Sequence, residues 1–312
     1  MSRLHGLCCL FMAAAVIFST TVWAQNERQP ASPPLPPGDV RAKRLVTLAP
    51  SLTELVYAAG AGKKLVAIAA YSDYPPDARR LPVVADANGI SLEAIIALRP
   101  DLVLAWKNGN RAADIAALEV LGIKVVALQI TGPEDIAQAI RDIGRWTGET
   151  RPAEQTALQY ESWHARLRVA HAGKPRLRVF FQISADPLMT VNGTHFISKA
   201  MALCGGDNVF ADSPALAFVS SRELLFIRQP EVILLPKTPD AGKENAGKDN
   251  ADTSAEKERY AGLEAYKNGH IYPIMADHAL RPGPRLFNAV EEICAVLDRV
   301  RSKRLIPRPN QK

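Results

Sequence analysis

ISLEAIIALRPDLVLAW, residues 90–106, carries a complete helix-to-strand unit. Ser91 stands where an N-cap belongs, ahead of a short helix near 92–98. Glu93 falls in the first turn, where the helix dipole favours an acid. Pro100 stops the helix, and DLVLAW (101–106) follows as an apolar strand. The same order returns at a constant offset of 130: Ser221-Arg222-Glu223, then Pro230-Glu231-Val232-Ile233-Leu234. A unit used twice points to two similar α/β lobes.

Working outward, short β-branched runs alternate with helical patterns, which is the signature of a mainly parallel sheet. LVTL (45–48), LVAIA (65–69) and KVVALQ (124–129) read as strands beside DLVLAW. Helices are expected near 111–121 and 134–146. Ser51-Leu52-Thr53-Glu54 reads as a capping box opening a helix after Ala49-Pro50. RVFFQI (178–183), EVILL (231–235) and HIYPI (270–274) form a second set of strands, and an amphipathic helix over 284–301 closes the chain.

Residues 152–171 break the alternation. Pro152 suits a first turn, Gly173 and Pro175 stop the segment, and Ala153, Ala157, Tyr160, Trp163 (or His164), Leu167 and Ala170 recur at helical spacing. The reading is a rigid spacer helix of about 30 Å. The expected organisation is a signal peptide over 1–24, a flexible leader over 25–42 and a first lobe over 43–148. A connecting helix over 149–174 then leads to a second lobe over 175–302 and a basic tail over 303–312. The polar, charged stretch 237–259 reads as a mobile insertion within the second lobe.

The first 24 residues join Arg3 to an apolar run, Leu7–Ile17, and end Val22-Trp23-Ala24. This is an export signal; its apolar run is shorter than the ~20 residues a membrane helix needs. Without it, 37 basic side chains face 32 acidic ones, with no dense basic block to suggest nucleic acid. Cys8 and Cys9 leave with the signal. Cys204 and Cys294 remain, as a bridge or as two buried thiols. A bridge closing this 90-residue loop would contribute roughly 4–5 kcal/mol in the chain-entropy model.

Catalytic signatures are missing. No GxSxG or HExxH is present, and Gly60–Lys64 lacks the residues of a phosphate loop and reads as a helix C-cap. His164, His171, His195, His270 and His278 show no metal-ligand spacing. The chemistry points to a binder, not an enzyme, with a ligand held between lobes.

Seven stretches carry a family. RLVTLAPSLTELVYAAGAG (44–62), AYSDYPPDA (70–78), ISLEAIIALRPDLVLAW (90–106) and LGIKVVAL (121–128) closely resemble the periplasmic metal-chelate receptors of ABC importers. So do RVFFQISADPLMT (178–190), CGGDNVFADS (204–213) and RPGPRLFNAVEEIC (281–294). The family carries cobalamin, haem or ferric siderophores. The same stretches closely resemble its cobalamin-binding members.

The resemblance implies an α/β fold of two Rossmann-like lobes joined by a long rigid helix, the class III periplasmic binding-protein arrangement. It implies cobalamin or a related corrinoid as ligand, with haem or a ferric siderophore as the alternative, and no catalytic cofactor or metal. Pro50, Tyr71 and Trp106 would line the cleft from the first lobe, and Asp277, His278 and Arg281 from the second. Cys204 and Cys294 match a disulfide. Glu93 and Glu223 match carboxylates that dock on a permease dimer, itself served by a cytoplasmic ATPase. The protein would be a soluble periplasmic monomer. Ala87, Ile183, Ala217 and His278 stand where aromatic residues surround the corrin in the family, and Phe218 is a candidate replacement for one lost ring. Tyr71 with His278 would suit haem iron.

Overall fold

The structure is a computed structural model that describes residues 41–238 and 258–305. The expected signal peptide, most of the leader, residues 239–257 of the insertion and residues 306–312 lie outside the described residues.

The first half builds a six-stranded sheet. Its strands are β1 (Leu45–Thr47), β2 (Leu65–Ala69), β3 (Val83–Asp86), β4 (Gly89–Ile90), β5 (Leu102–Trp106) and β6 (Val125–Leu128), in the order β4-β3-β2-β1-β5-β6. Only β4 runs antiparallel to its neighbour. Helices α1 (Pro50–Ala58), α2 (Leu92–Leu98), α3 (Ala112–Val120) and α4 (Asp135–Thr147) connect and flank these strands. Such strands are apolar throughout because helices cover both faces. In β1, Leu45 enters the central core while Val46, one residue on, enters a second cluster with Val103, Ile95 and Leu118.

The long helix α5 spans Thr150–His171, starting two residues before the expected position. Ala153 and Ala157 are fully buried. Gly144 lets α4 approach them, since a Cβ there would lie 2.3 Å from that of Ala153. Tyr160 packs edge-on and Trp163 tilted against Phe287, with ring centroids 4.3 and 3.9 Å away. Ala170, expected on this apolar seam, is exposed; His171 takes the buried face instead, bonded to Asp298.

After α5, strands β7 (Leu177–Phe181), β10 (Gly206–Asn208), β12 (Val232–Lys237) and β13 (Ile271–Met275) form a parallel sheet ordered β10-β7-β12-β13. Short strands β8 (Ser184–Ala185), β9 (Leu188–Val191) and β11 (Ala217–Val219) make a small antiparallel sheet ordered β11-β9-β8. Helices α6 (Phe196–Leu203), α7 (Arg222–Arg228), α8 (Glu264–Lys267), α9 (Ala276–Ala279) and α10 (Leu286–Leu305) complete the second half. Helix α10 runs into the expected basic tail, and Arg304 pairs with Glu231. At the other end, Ala42, the last residue of the expected leader, is buried and donates its N–H to the Trp146 carbonyl. Cys204 and Cys294 are bridged, tying the end of α6 to α10.

The repeat is structural. Helices α2 and α7 have seven residues each, and each stops at a left-handed residue, Arg99 (φ 45°) or Gln229 (φ 43°). The acid after each proline pins the neighbouring strand. Asp101 accepts from the backbone N–H groups of Lys43 and Arg44, and Glu231 from that of Arg178. The caps differ: Ser221 accepts from the Leu224 N–H at 3.2 Å, whereas Ser91 makes no side-chain cap bond.

The expected capping box is not one. Helix α1 starts at Pro50 with Ala49 as N-cap and no side-chain cap. Thr53 instead bonds Thr47 at 2.7 Å and Ser72 at 3.1 Å, and Glu54 reaches Arg285. Local spacing suggested a cap, but tertiary partners captured these side chains.

Candidate functional site

In parallel sheets, sites form beyond the carboxyl ends of strands, above all where strand order reverses. All six expected cleft residues lie there. Pro50 follows β1, Tyr71 follows β2, Trp106 ends β5, and Asp277, His278 and Arg281 follow β13. Pro50 and Trp106 mark the reversal between β1 and β5. Asn110, missed in the sequence, joins these two strand ends. Its amide donates to the Leu48 carbonyl at 2.8 Å and accepts from the Trp106 N–H at 2.7 Å.

One group of these residues forms a charged cluster. Arg281 meets Asp277 at 2.8 Å and Asp73 at 2.9 Å. Arg285 meets Glu54 at 2.7 Å and lies over the Tyr74 ring, 4.6 Å from its centroid. The loop between the two arginines packs on α1 beside Pro50, where a Cβ at Gly283 would lie 3.1 Å from that of Ser51. Burial pushes the Glu54 carboxyl above its ordinary range, against the pull of Arg285. Burial acts on Asp73 in the same sense, but the hydrogen bond and charge of Arg281 outweigh it and hold that carboxyl low.

Above this cluster Tyr71 is 79% exposed, on left-handed backbone at φ 63°. A non-glycine residue rarely adopts that conformation, and it stores strain where the surroundings enforce it. Here Ser72 is buried and bonded to Thr53, which fixes the chain on one side of Tyr71.

Of the six expected residues, Trp106 alone is among the described residues that line a cavity of about 360 Å³. Asn108, Gln129 and Thr131 line it from the first half, and Thr194, His195, Lys199 and Leu216 from the second. Gly109 is required here, because a Cβ would lie 1.9 Å from the Trp106 ring. Lys199 donates to Thr131 at 3.0 Å and to Glu134 at 2.9 Å. His195 caps α6, accepting from the Ile197 N–H through Nδ1, and burial lowers its pKa to about 4. A neutral imidazole accepting at Nδ1 carries its proton on Nε2.

Three expected positions behave differently. Asp277 is paired with Arg281, and the Nδ1 of His278 with Glu292 at 2.7 Å. Phe218 does not supply a cleft aromatic. Alternation along β11 turns it into the outer core, 5.7 Å from Phe210, while Ala217 is exposed. Ala87 is exposed in the β3–β4 turn, and Ile183 packs on the central core. Glu93 and Glu223 are both exposed in the first turns of the repeated helices α2 and α7. The Glu223 carboxyl is held low by its own backbone N–H and by Ser221. No helix among the described residues is long and apolar enough to cross a membrane.

This arrangement matches known proteins over most of its length. A profile of the periplasmic binding protein family covers residues 45–277. The chain belongs to that family. Within it, the chain is 34% identical over 262 residues to the vitamin B12-binding protein of Vibrio parahaemolyticus, covering 84% of this chain and 92% of the relative. It is 36% identical over 259 residues to the vitamin B12-binding protein of Salmonella paratyphi A, covering 83% and 91%. The crystal structure of the periplasmic vitamin B12-binding protein BtuF of Vibrio cholerae superposes with a TM-score of 0.74 at 34% identity, covering 84% of this chain and 99% of that one. The periplasmic haem-binding protein RhuT of Roseiflexus shares the fold, with a TM-score of 0.70 at 23% identity over 83% and 99% of the two chains. This member of the periplasmic binding protein family therefore has the family's mixed α/β fold, and its Cys204–Cys294 bridge is formed.

Proposed function

We propose that this chain is an exported receptor that captures cobalamin or a related corrinoid in a cleft between two α/β lobes and delivers it to an ABC importer. The observation that carries the reading is Tyr71, a large aromatic ring left in solvent at a strand end on strained backbone. Packing gives no reason for that placement, whereas a flat macrocycle would cover the ring. Trp106, at the strand-order reversal, offers a second aromatic surface. Identity of 34–36% to vitamin B12-binding proteins supports the corrinoid. The first 24 residues would direct the chain to the periplasm as a soluble monomer.

Docking rests on the repeat. Glu93 and Glu223 occupy equivalent places in two related helix–strand units, which suits arginines on a two-fold permease dimer. The ATPase would act from the cytoplasmic side.

Isothermal calorimetry with cyanocobalamin tests the ligand. One-to-one binding is expected, weakened by about 1–3 kcal/mol in Tyr71→Ala or Trp106→Ala. Absence of heat with any corrinoid would refute the proposal. His278 favours haem as a second reading, because a carboxylate on one ring nitrogen is the usual support for a metal-ligating histidine. A haem spectrum in protein from a haem-supplied culture, lost in His278→Ala, would select that reading.

A further inference from the structure

The cavity beside Trp106 combines apolar walls, from Trp106, Ile130, Phe196 and Leu216, with a set of uncharged hydrogen-bonding groups. Asn108, Gln129 and Thr131 face Thr194 and His195 across it, all uncharged. Among the described residues that line it the one cation is Lys199, already engaged by Glu134 at 2.9 Å. Asp135 lies next to this pair, accepting from the Thr131 hydroxyl at 2.7 Å, so the local balance leans negative. A carboxylate entering here would meet no unpaired positive partner and would lose its hydration. A primary carboxamide carries both donors and an acceptor without charge, and so matches the Asn, Gln, Thr and imidazole groups present.

We propose that this cavity reads primary carboxamides on the rim of the bound macrocycle, and that His195 and the Lys199–Glu134 pair set the preference for amide over carboxylate. The inference rests on the corrinoid reading above. The rim of a corrin bears acetamide and propionamide arms, whereas the rim of haem bears propionate carboxylates. His195 Nε2–H donates to an amide oxygen. Burial keeps this ring neutral across the ordinary pH range, so it gives no charge to a carboxylate. Glu134 cancels the charge of Lys199 and leaves it an N–H donor.

The test is calorimetry with cyanocobalamin and with the derivatives in which one rim propionamide is hydrolysed to a carboxylate. At least one derivative is expected to bind the wild-type protein about tenfold more weakly, the size of one mismatched polar group. The variants should move that ratio in opposite directions. Glu134→Gln frees the Lys199 charge and narrows the gap, while Lys199→Met leaves Glu134 unopposed and widens it. His195→Phe should weaken cyanocobalamin binding, and His195→Gln should restore part of it. If every derivative binds like cyanocobalamin, or if neither Glu134→Gln nor Lys199→Met moves the ratio, the amide-reading role is wrong although the receptor function stands. Absence of cyanocobalamin binding would instead remove the reading beneath it.

Discussion

Both ends of the candidate cleft are crossed by an ion pair joining residues far apart in sequence, yet the two crossings sit in opposite surroundings. At the charged end, the side chains of Glu54 and Arg285 are 2% and 14% exposed. At the neutral end, those of Lys199 and Glu134 are 39% and 42% exposed. Removing one partner of a buried pair leaves an uncompensated charge, which costs several kcal/mol, whereas an exposed pair is worth about 0–1 kcal/mol. Losing one partner should therefore cost the fold much at the charged end and little at the neutral end.

The neutral end has its own anchor, and breaking it should give the largest effect. Helix α6 carries His195 at its cap and Lys199 in its body, and the Cys204–Cys294 bridge fixes its far end to α10. Cys204→Ser with Cys294→Ser should lower the unfolding free energy by roughly 4–5 kcal/mol in the chain-entropy model. Urea titration measures this, and a loss below 1 kcal/mol would show that α6 does not depend on the bridge. Next comes the charged end itself. Glu54→Ala or Arg285→Ala should destabilise by about 3–5 kcal/mol, with the double variant less than additive. Additive losses would mean that the pair does not couple.

Acid should sharpen the contrast. The His195 ring titrates near 6.5 when unfolded and near 4 in the native protein. Between those values the unfolded chain binds the extra proton, so stability falls as pH drops from about 6.5 towards 4. Denaturant midpoints across that window should slope less in His195→Gln. At the charged end the two acids oppose each other. Asp73, held low, stabilises above its ordinary pKa and loses that contribution as pH falls; Glu54, pushed high, stabilises when protonated and loses that contribution as pH rises. The smallest effect is expected at the exposed pair, where Lys199→Met should change stability by no more than about 1 kcal/mol.

Much of the fold was legible because its signals are local. Parallel strands buried on both faces read as unbroken apolar runs, and β1, β2 and β5 stand within one residue of expectation. The helix–strand repeat gave α2 and α7 from a Ser, an acid and a Pro at matching positions. Strands β8, β9 and β11 were not legible, since at two to four residues they are too short to show a period. The site divides in the same way. Pro50, Tyr71, Trp106 and Arg281 were named through the family resemblance, which short local motifs carry, and the structure places each beyond a strand end. Asn108, Gln129, His195 and Lys199 were missed because no motif surrounds them. The charged side chain of Glu54 within an apolar helix, and the Arg281–Arg285 spacing, were available signals that pointed to buried partners.

The sequence by itself determined the alternation of the main parallel strands with helices, the repeat at an offset of 130 and a single cysteine pair after residue 24. Only the tertiary structure decided that Thr53 and Glu54 turn away from a capping role. It alone matched Glu54 to Arg285, 231 residues later, placed Phe218 in an outer core and brought Lys199 to Glu134 beside the cavity. The physical reason is range. Periodicity, turns and caps act over a few residues, whereas the burial of a charge or a ring depends on which distant surfaces meet.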